Sequence, residues 1–179
     1  RPPRSTQGVS SAASDVYKRQ DISYDEANSG ARKERMKQVT KVVFLLNITK
    51  VGDNACYYAS NLVVVDIPEG ITIIGTASFN LCSSLKEIKF PKSLTSIGYG
   101  CFWNCSSLER VDLLHTNVLE LGPGAFYNCT SLREMKVPDS LQKFDDSMGG
   151  VFENCSKLVP SDIDDGNNEA IVAYLRSIQ

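Results

Sequence analysis

Four cysteines recur at nearly equal intervals. Cys82, Cys105, Cys129 and Cys155 are each followed by a polar step and a leucine, in SSL, SSL, TSL and SKL. Thiolates can hold zinc, but only where about four ligands converge on one point. They can form disulfides, but only where two β-carbons face each other. Equal spacing does neither if each interval is one turn of a repeating structure. The thiols then form a column, close along the stack yet parallel in direction. A buried cysteine in such a column acts as a small apolar residue with a weak S–H donor for a turn carbonyl. Free structural thiols are the favoured reading, with disulfides or a metal as the alternatives. Cys56 and Cys101 fall at neighbouring repeat positions and read as buried.

Other reactive side chains are sparse. His115 is the one histidine in the chain, and it lies in a loop without a defined partner. Asp162, Asp164 and Asp165 cluster, but without the full spacing of a calcium loop. Asn47, Asn104, Asn128 and Asn154 open Asn-x-Ser/Thr sequons, three of which are generated by the repeated NCS/NCT step. No glycine-rich phosphate loop, nucleophile elbow or HExxH pattern occurs. No cofactor is implied. The net charge of −2 argues against a nucleic-acid partner. No apolar run reaches the ~18 residues of a membrane span, so this stretch is not expected to insert.

The cysteine interval belongs to a longer repeat. LVVVDIPEGITIIGTASFNLCSSL begins at Leu62, LKEIKFPKSLTSIGYGCFWNCSSL at Leu85, and LERVDLLHTNVLELGPGAFYNCTSL at Leu108. LREMKVPDSLQKFDDSMGGVFENCSKL follows from Leu132, and a divergent first copy, VTKVVFLLNITKVGDNACYYASNL, opens at Val39. Each copy starts with alternation, as in inward Leu85, Ile88 and Phe90 against outward Glu87 and Lys89, which predicts a strand with one buried face. Proline then stops the strand. A second extended piece ends at Gly52, Gly75, Gly98 or Gly122, predicted as a tight turn or a positive φ. A small residue and an aromatic follow, predicted to drop Phe79, Phe102, Phe126 and Phe152 into the core. One unit cannot bury its own apolar face, so the units must stack.

This pattern of LxxIxxP, LxxIG, small–Phe, NC and SxL resembles the BspA-type, or Treponema pallidum-type, leucine-rich repeat. The resemblance covers residues 39–158, as copies 39–61, 62–84, 85–107, 108–131 and 132–158. It implies an α/β solenoid, right-handed, with a short parallel sheet of about five to six rungs. It also implies a recognition role without chemistry of its own. The first copy lacks the Phe and Cys of the pattern, the fourth has Leu114 in place of proline, and the fifth carries extra residues near Asp145–Gly150.

The flanks read as caps. Residues 21–38 hold ARKERMKQ, a strong local helix former after Ser29–Gly30. In 159–179, a loop leads to EAIVAYLRSIQ. There Ile171, Tyr174, Leu175 and Ile178 form one apolar stripe, and Asn168 is the expected N-cap. Residues 1–20 resemble a translated sequencing-library adapter: SSAASDVYKRQ at Ser10–Gln20 reads in frame from a transposon-type adapter. They are expected to be a disordered artefact, which leaves the true start of the protein missing and its compartment open. Without that segment, 15 basic residues stand against 20 acidic ones, a net of −5.

Two surfaces are candidates for a protein partner. The outward strand positions align as Lys41, Val64, Glu87, Arg110, Glu134 and as Val43, Asp66, Lys89, Asp112, Lys136. Charges alternate along and across the last three strands, and this checkerboard can neutralise itself or meet a polar partner. An aromatic column, Tyr57, Trp103 and Tyr127 with Tyr99 nearby, follows the ring position and is expected to face outward for contact, the alternative being that it packs under a neighbouring turn. The function expected is a non-enzymatic module for protein–protein recognition. The alternative is a structural spacer or a cell-surface adhesion segment of a larger protein.

Overall fold

The computed structural model describes the backbone of residues 14–17 and all of 26, 28–44, 47–145, 147, 149–164 and 166–179. In chain order it contains β1 (Ser14–Tyr17), α1 (Gly30–Met36), β2 (Lys41–Phe44), β3 (Lys50–Val51), β4 (Val64–Asp66) and β5 (Ile73–Ile74). These are followed by β6 (Glu87–Lys89), β7 (Ser96–Ile97), β8 (Arg110–Asp112), β9 (Glu120–Leu121), β10 (Glu134–Lys136), β11 (Lys143–Phe144) and α2 (Asn168–Ser177). Each of the five repeats contributes one strand of each kind and makes one coil.

The second strands form a continuous parallel stack, β3-β5-β7-β9-β11. The first strands form two ladders, β1-β2-β4 and β6-β8-β10, instead of one. The interruption falls between coils two and three. There the mid-strand residue Val65 is only half-buried, whereas its equivalents Val42, Ile88, Val111 and Met135 are buried.

The interior is periodic. Phe79, Phe102, Phe126 and Phe152 are fully buried and stack face to face, with centroids 5.4, 5.2 and 6.0 Å apart and planes within 9°. Such aromatic pairs stabilise beyond their buried area. In the first coil Cys56 holds the ring position, so Phe44 closes the column edge-on against Phe79 at 88°. The cysteines stand beside the rings. Cys82, Cys105, Cys129 and Cys155 each donate the thiol to the backbone carbonyl of the residue at the preceding coil's ring position, Cys56, Phe79, Phe102 and Phe126, over 3.1–3.3 Å. All six thiols are free and buried. Burial holds those of Cys82, Cys101 and Cys129 well above the ordinary range, and that of Cys105 is pushed up to about 12.

Left-handed positions lie on both sides of the ring position in the first four coils and after it in the fifth. Two residues before it stand Asn54, Ala77, Gly100 and Gly124, with φ of 56°, 51°, 53° and 58°. Two residues after it stand Tyr58, Leu81, Asn104, Asn128 and Asn154, with φ of 59–71°. This explains the Asn of the repeated NC step, because asparagine tolerates the left-handed region better than most residues. Positive φ does not explain the glycines that end the second strand. A β-carbon on Gly122 would lie 2.6 Å from the Tyr99 nitrogen, so glycine there permits close approach of successive coils.

Hydrogen bonding gives the stack a polarity, and the caps complement it. Around the ring, amides of one coil donate to carbonyls of the next, as from Phe79 to Cys101 and from Phe102 to Ala125. The first coil therefore presents carbonyls outward, and the last presents amides. At the first end buried Arg32 of α1 donates to the carbonyls of Asn54 and Ala55 at 3.2 and 2.9 Å. At the other end the Asn168 side chain accepts the Val151 amide at 3.0 Å. On the strand side the polarity reverses, with Gln142 and Lys143 donating back to Leu119. There Arg176 of α2 donates to the Leu141 carbonyl at 2.7 Å.

Several expectations need correction. Ser14–Tyr17 were expected to be disordered, but they form β1, parallel to β2 in the register Ser14 to Lys41. β2 is otherwise an edge, and edge amides and carbonyls pair with an extended backbone whatever its side chains. The rest of residues 1–20, together with 21–25 and 27, lies outside the described residues. Asn167, not Asn168, caps α2, accepting the Ala170 amide at 3.0 Å. Ile178 is 60% exposed, while Val172 is buried beside Ile171 and Leu175. Ser29 caps α1, accepting the Arg32 amide.

Candidate functional site

The strand faces carry the charged candidates in register. Lys41 lies beside Val64, and Val43 beside Asp66. Glu87, Arg110 and Glu134 line up across β6, β8 and β10, as do Lys89, Asp112 and Lys136. All ten are outward, with Val43 and Lys136 half-buried. Lys136 Nζ approaches Asp112 Oδ2 to 3.8 Å. Among the described residues Glu87, Lys89, Arg110 and Glu134 have no ion pair within 4.0 Å. The checkerboard is therefore laid out as expected but only partly neutralised within the chain.

The face extends one column further than the alternation suggested. Lys86, Glu109 and Arg133 precede the strands and alternate in sign as well. Arg133 Nη2 meets Glu109 Oε2 at 2.8 Å, and this hydrogen bond and charge hold the Glu109 carboxyl below its ordinary range. The signal was present in LKEIK, LERVD and LREMK but hidden, because two successive outward residues, as Lys86 and Glu87, break the two-residue period.

At the N-terminal end the face turns apolar. Val63 and Val64 are 49% and 46% exposed. They border an open groove of about 340 Å³ shared with Lys41, Asp66, Glu87 and Lys89, at the interruption between β4 and β6. A second open groove, of about 270 Å³, runs over β6, β8 and β10 between the charged side chains.

The aromatic candidates separate into two groups. Trp103 and Tyr127 stack with centroids 4.2 Å apart, and Tyr99 meets Trp103 edge-on at 6.0 Å. All three are half-buried. The indole also lies on the backbone of the next coil, where a β-carbon on Gly124 would come within 2.9 Å of it. Tyr57 is not outward: it is 8% exposed, packs with Ala77 and Tyr58, and donates to Asn28 Oδ1 at 3.5 Å. Asn28, just ahead of α1, accepts this ring's hydroxyl hydrogen. Trp103, Tyr127 and Tyr99 thus form one ledge that is half structural, and Tyr57 belongs to the N-terminal cap.

His115 is exposed. Among the described residues no group of three or more His, Cys, Asp or Glu could hold a metal ion. Among them, too, no helix is long and apolar enough to cross a membrane.

The family model of the BspA type leucine-rich repeat region matches residues 39–174 in six copies. The chain belongs to this family. The BspA-type match extends beyond Leu158 into α2, where the chain bends through Pro160 and adds a helix in place of a paired strand. A T. pallidum leucine-rich repeat protein is similar at 30% identity and a TM-score of 0.62, over 69% of this chain and 56% of that one. A leucine-rich repeat protein from Bacteroides ovatus is similar at 28% identity and a TM-score of 0.59, over 68% of this chain and 30% of that one. A leucine-rich cell surface protein from Faecalibacterium prausnitzii is similar at 31% identity and a TM-score of 0.52, over 57% and 28%. The chain thus spans little more than half the length of the first and under a third of the others. No curated protein matches it.

Proposed function

We propose that the five coils are a non-enzymatic recognition module that binds another protein through the face of β2, β4, β6, β8 and β10. The observation that supports this reading most is the free charge on that face. Glu87, Lys89, Arg110 and Glu134 are exposed, fixed at coil spacing and without ion pairs among the described residues. A rigid scaffold that orders charged side chains before contact lowers the entropy lost on binding. Alternating sign confers register and partner choice more than affinity, and it offers no continuous positive track for a nucleic acid. The aromatic ledge is a weaker candidate because Trp103 is committed to Tyr127 and Gly124.

The test is retention of proteins from the source cell on the immobilised chain, compared with an Arg110→Glu variant. A protein held by the first and lost by the second is then purified and titrated at two salt concentrations. Loss of affinity with Arg110→Glu and with salt supports the face. Retention by the variant, with loss on Trp103→Ala, moves the site to the aromatic ledge. A second reading, a spacer or adhesion segment at a cell surface, is favoured by the similarity to the F. prausnitzii cell surface protein. It predicts no protein retained by either form.

A further inference from the structure

The charge pattern of the face has a symmetry that selects a partner. In β6, β8 and β10 the outward pairs read Glu87 and Lys89, Arg110 and Asp112, Glu134 and Lys136. The sign is opposite within each strand, and it reverses from each strand to its registered neighbour. Consider two copies of this face brought together by a two-fold axis lying in the plane of contact. If the axis runs along the strands through β8, Glu87 meets the second copy's Glu134 and Lys89 its Lys136, so like charges oppose. If the axis runs along the stacking direction, between the two columns, every pair changes. Glu87 meets Lys89, Arg110 meets Asp112 and Glu134 meets Lys136, each in both directions.

That arrangement is isologous, as a closed homodimer requires. We infer that this face is self-complementary and that a second copy of the chain docks on it, with stacking axes parallel and strands antiparallel. The inference rests on the recognition reading above and names the partner for the same face.

Two further features fit this occupant. Four of the six charges have no ion pair within the chain among the described residues, so they lose none on docking. The groove over these strands, lined by Glu87, Lys89, Arg110, Asp112, Glu134 and Lys136 with Ile88 and Val111 beneath, has room for interdigitating side chains. Along the same two columns toward the N-terminus, the operator sets Val64 opposite Asp66 and Val43 opposite Lys41 of the second copy, so the charge pairing is confined to β6, β8 and β10. A contact made mainly of exposed ion pairs is weak and salt-dependent.

The experiment is sedimentation and native mass spectrometry of the full chain over ~1–200 μM, at about 0.05 M and about 0.5 M salt. The expected result is a reversible dimer at low salt that dissociates at high salt. Asp112→Lys places two positive charges on β8, and Arg110→Glu places two negative ones. Each alone should weaken self-association by ~10-fold or more, since like charges then meet across the axis. Mixed together, the two variants should form a heterodimer, because the altered strands are complementary. The exchange Arg110→Asp with Asp112→Arg should keep the dimer while making each column uniform in sign. This exchange decides the matter if either single variant fails to fold. A monomer throughout at low salt overturns the inference, as does a mixture of single variants without heterodimer, or an exchange variant that loses the dimer. A monomer whose Arg110→Glu variant still loses a different purified protein leaves the recognition reading intact.

Discussion

The first two coils and the last three solve the same packing problem with different residues. In coils three to five the left-handed positions hold Gly100, Gly124, Asn104, Asn128 and Asn154, residues that adopt this conformation at low cost. In coils one and two they hold Asn54, Tyr58, Ala77 and Leu81, three of which are strained there. The later coils bury a ring each in one parallel column, whereas the first ends that column with Phe44 turned edge-on. The later strands share one ladder under a charged face, whereas β4 forms no ladder with β6, and Val63 and Val64 are exposed. Regular coils are stabilised by identical neighbours on both sides. The early coils depend on a cap, in which Arg32 supplies donors that a preceding coil would otherwise provide.

The largest expected effect concerns the thiols of coils two to four. The folded thiols of Cys82, Cys101, Cys105 and Cys129 are raised above the ordinary 9.0 by burial. A raised folded value favours the neutral form in the fold. Stability is therefore complete below pH 9 and is lost as pH rises from 9 toward 12. The slope is at most about 1.4 kcal/mol per pH unit for each thiol that is neutral in the fold and ionised in the unfolded chain. Thermal melts should be flat to pH 8 and fall steeply beyond 9. Cys105→Ser, which keeps a donor for the Phe79 carbonyl, should lessen the slope by one thiol's share. An equal slope in that variant would assign the alkaline loss to other groups.

Next comes the ring column. Phe102→Ala removes a side chain stacked on both sides and touched edge-on by Phe90, and should cost about 3–5 kcal/mol in a denaturant melt. Trp103→Ala should cost about 1–2 kcal/mol, because the indole is half-buried on Tyr127 and Gly124. Equal losses would erase the distinction between the column and the ledge.

The left-handed positions allow the two regions to be exchanged. Ala77→Gly gives coil two the residue that coil three has, and should stabilise by about 0.5–1 kcal/mol. Gly100→Ala does the reverse, with a β-carbon 3.4 Å from the indole, and should destabilise by about 1–2 kcal/mol. The same sign for both would mean that strain is not what separates the early coils from the late ones. The smallest effect is on the exposed face. Lys136→Ala removes the 3.8 Å contact to Asp112 and leaves the bond from the Leu114 amide to Asp112 in place, so it should change folding stability by about 0.2–1 kcal/mol, less at high salt.

The repeat length, the inward Phe and Cys columns, the registered charges and the capping helices were all legible in the sequence. Each is set by periodicity, which fixes which residues stack once one coil is known. Three features were decided by the tertiary structure, two where a neighbouring coil is missing and one where two coils meet closely. Tyr57 occupies the same repeat position as Trp103, yet it is buried, packed with Ala77 and Tyr58 and bonded to Asn28 ahead of α1. Asn168 looked like a helix cap, yet it accepts the Val151 amide because the last coil has amides with no coil above them. The glycines before the ring read as a tight turn or a positive φ; the turn is there, with the Gly98 carbonyl accepting the Cys101 amide, but the positive φ lies beyond them and glycine serves where two backbones meet. A repeated sequence specifies the coil and its copies. The ends, the ladder break and the tightness of stacking depend on which backbone groups are left without a partner, and that is a property of the assembled stack.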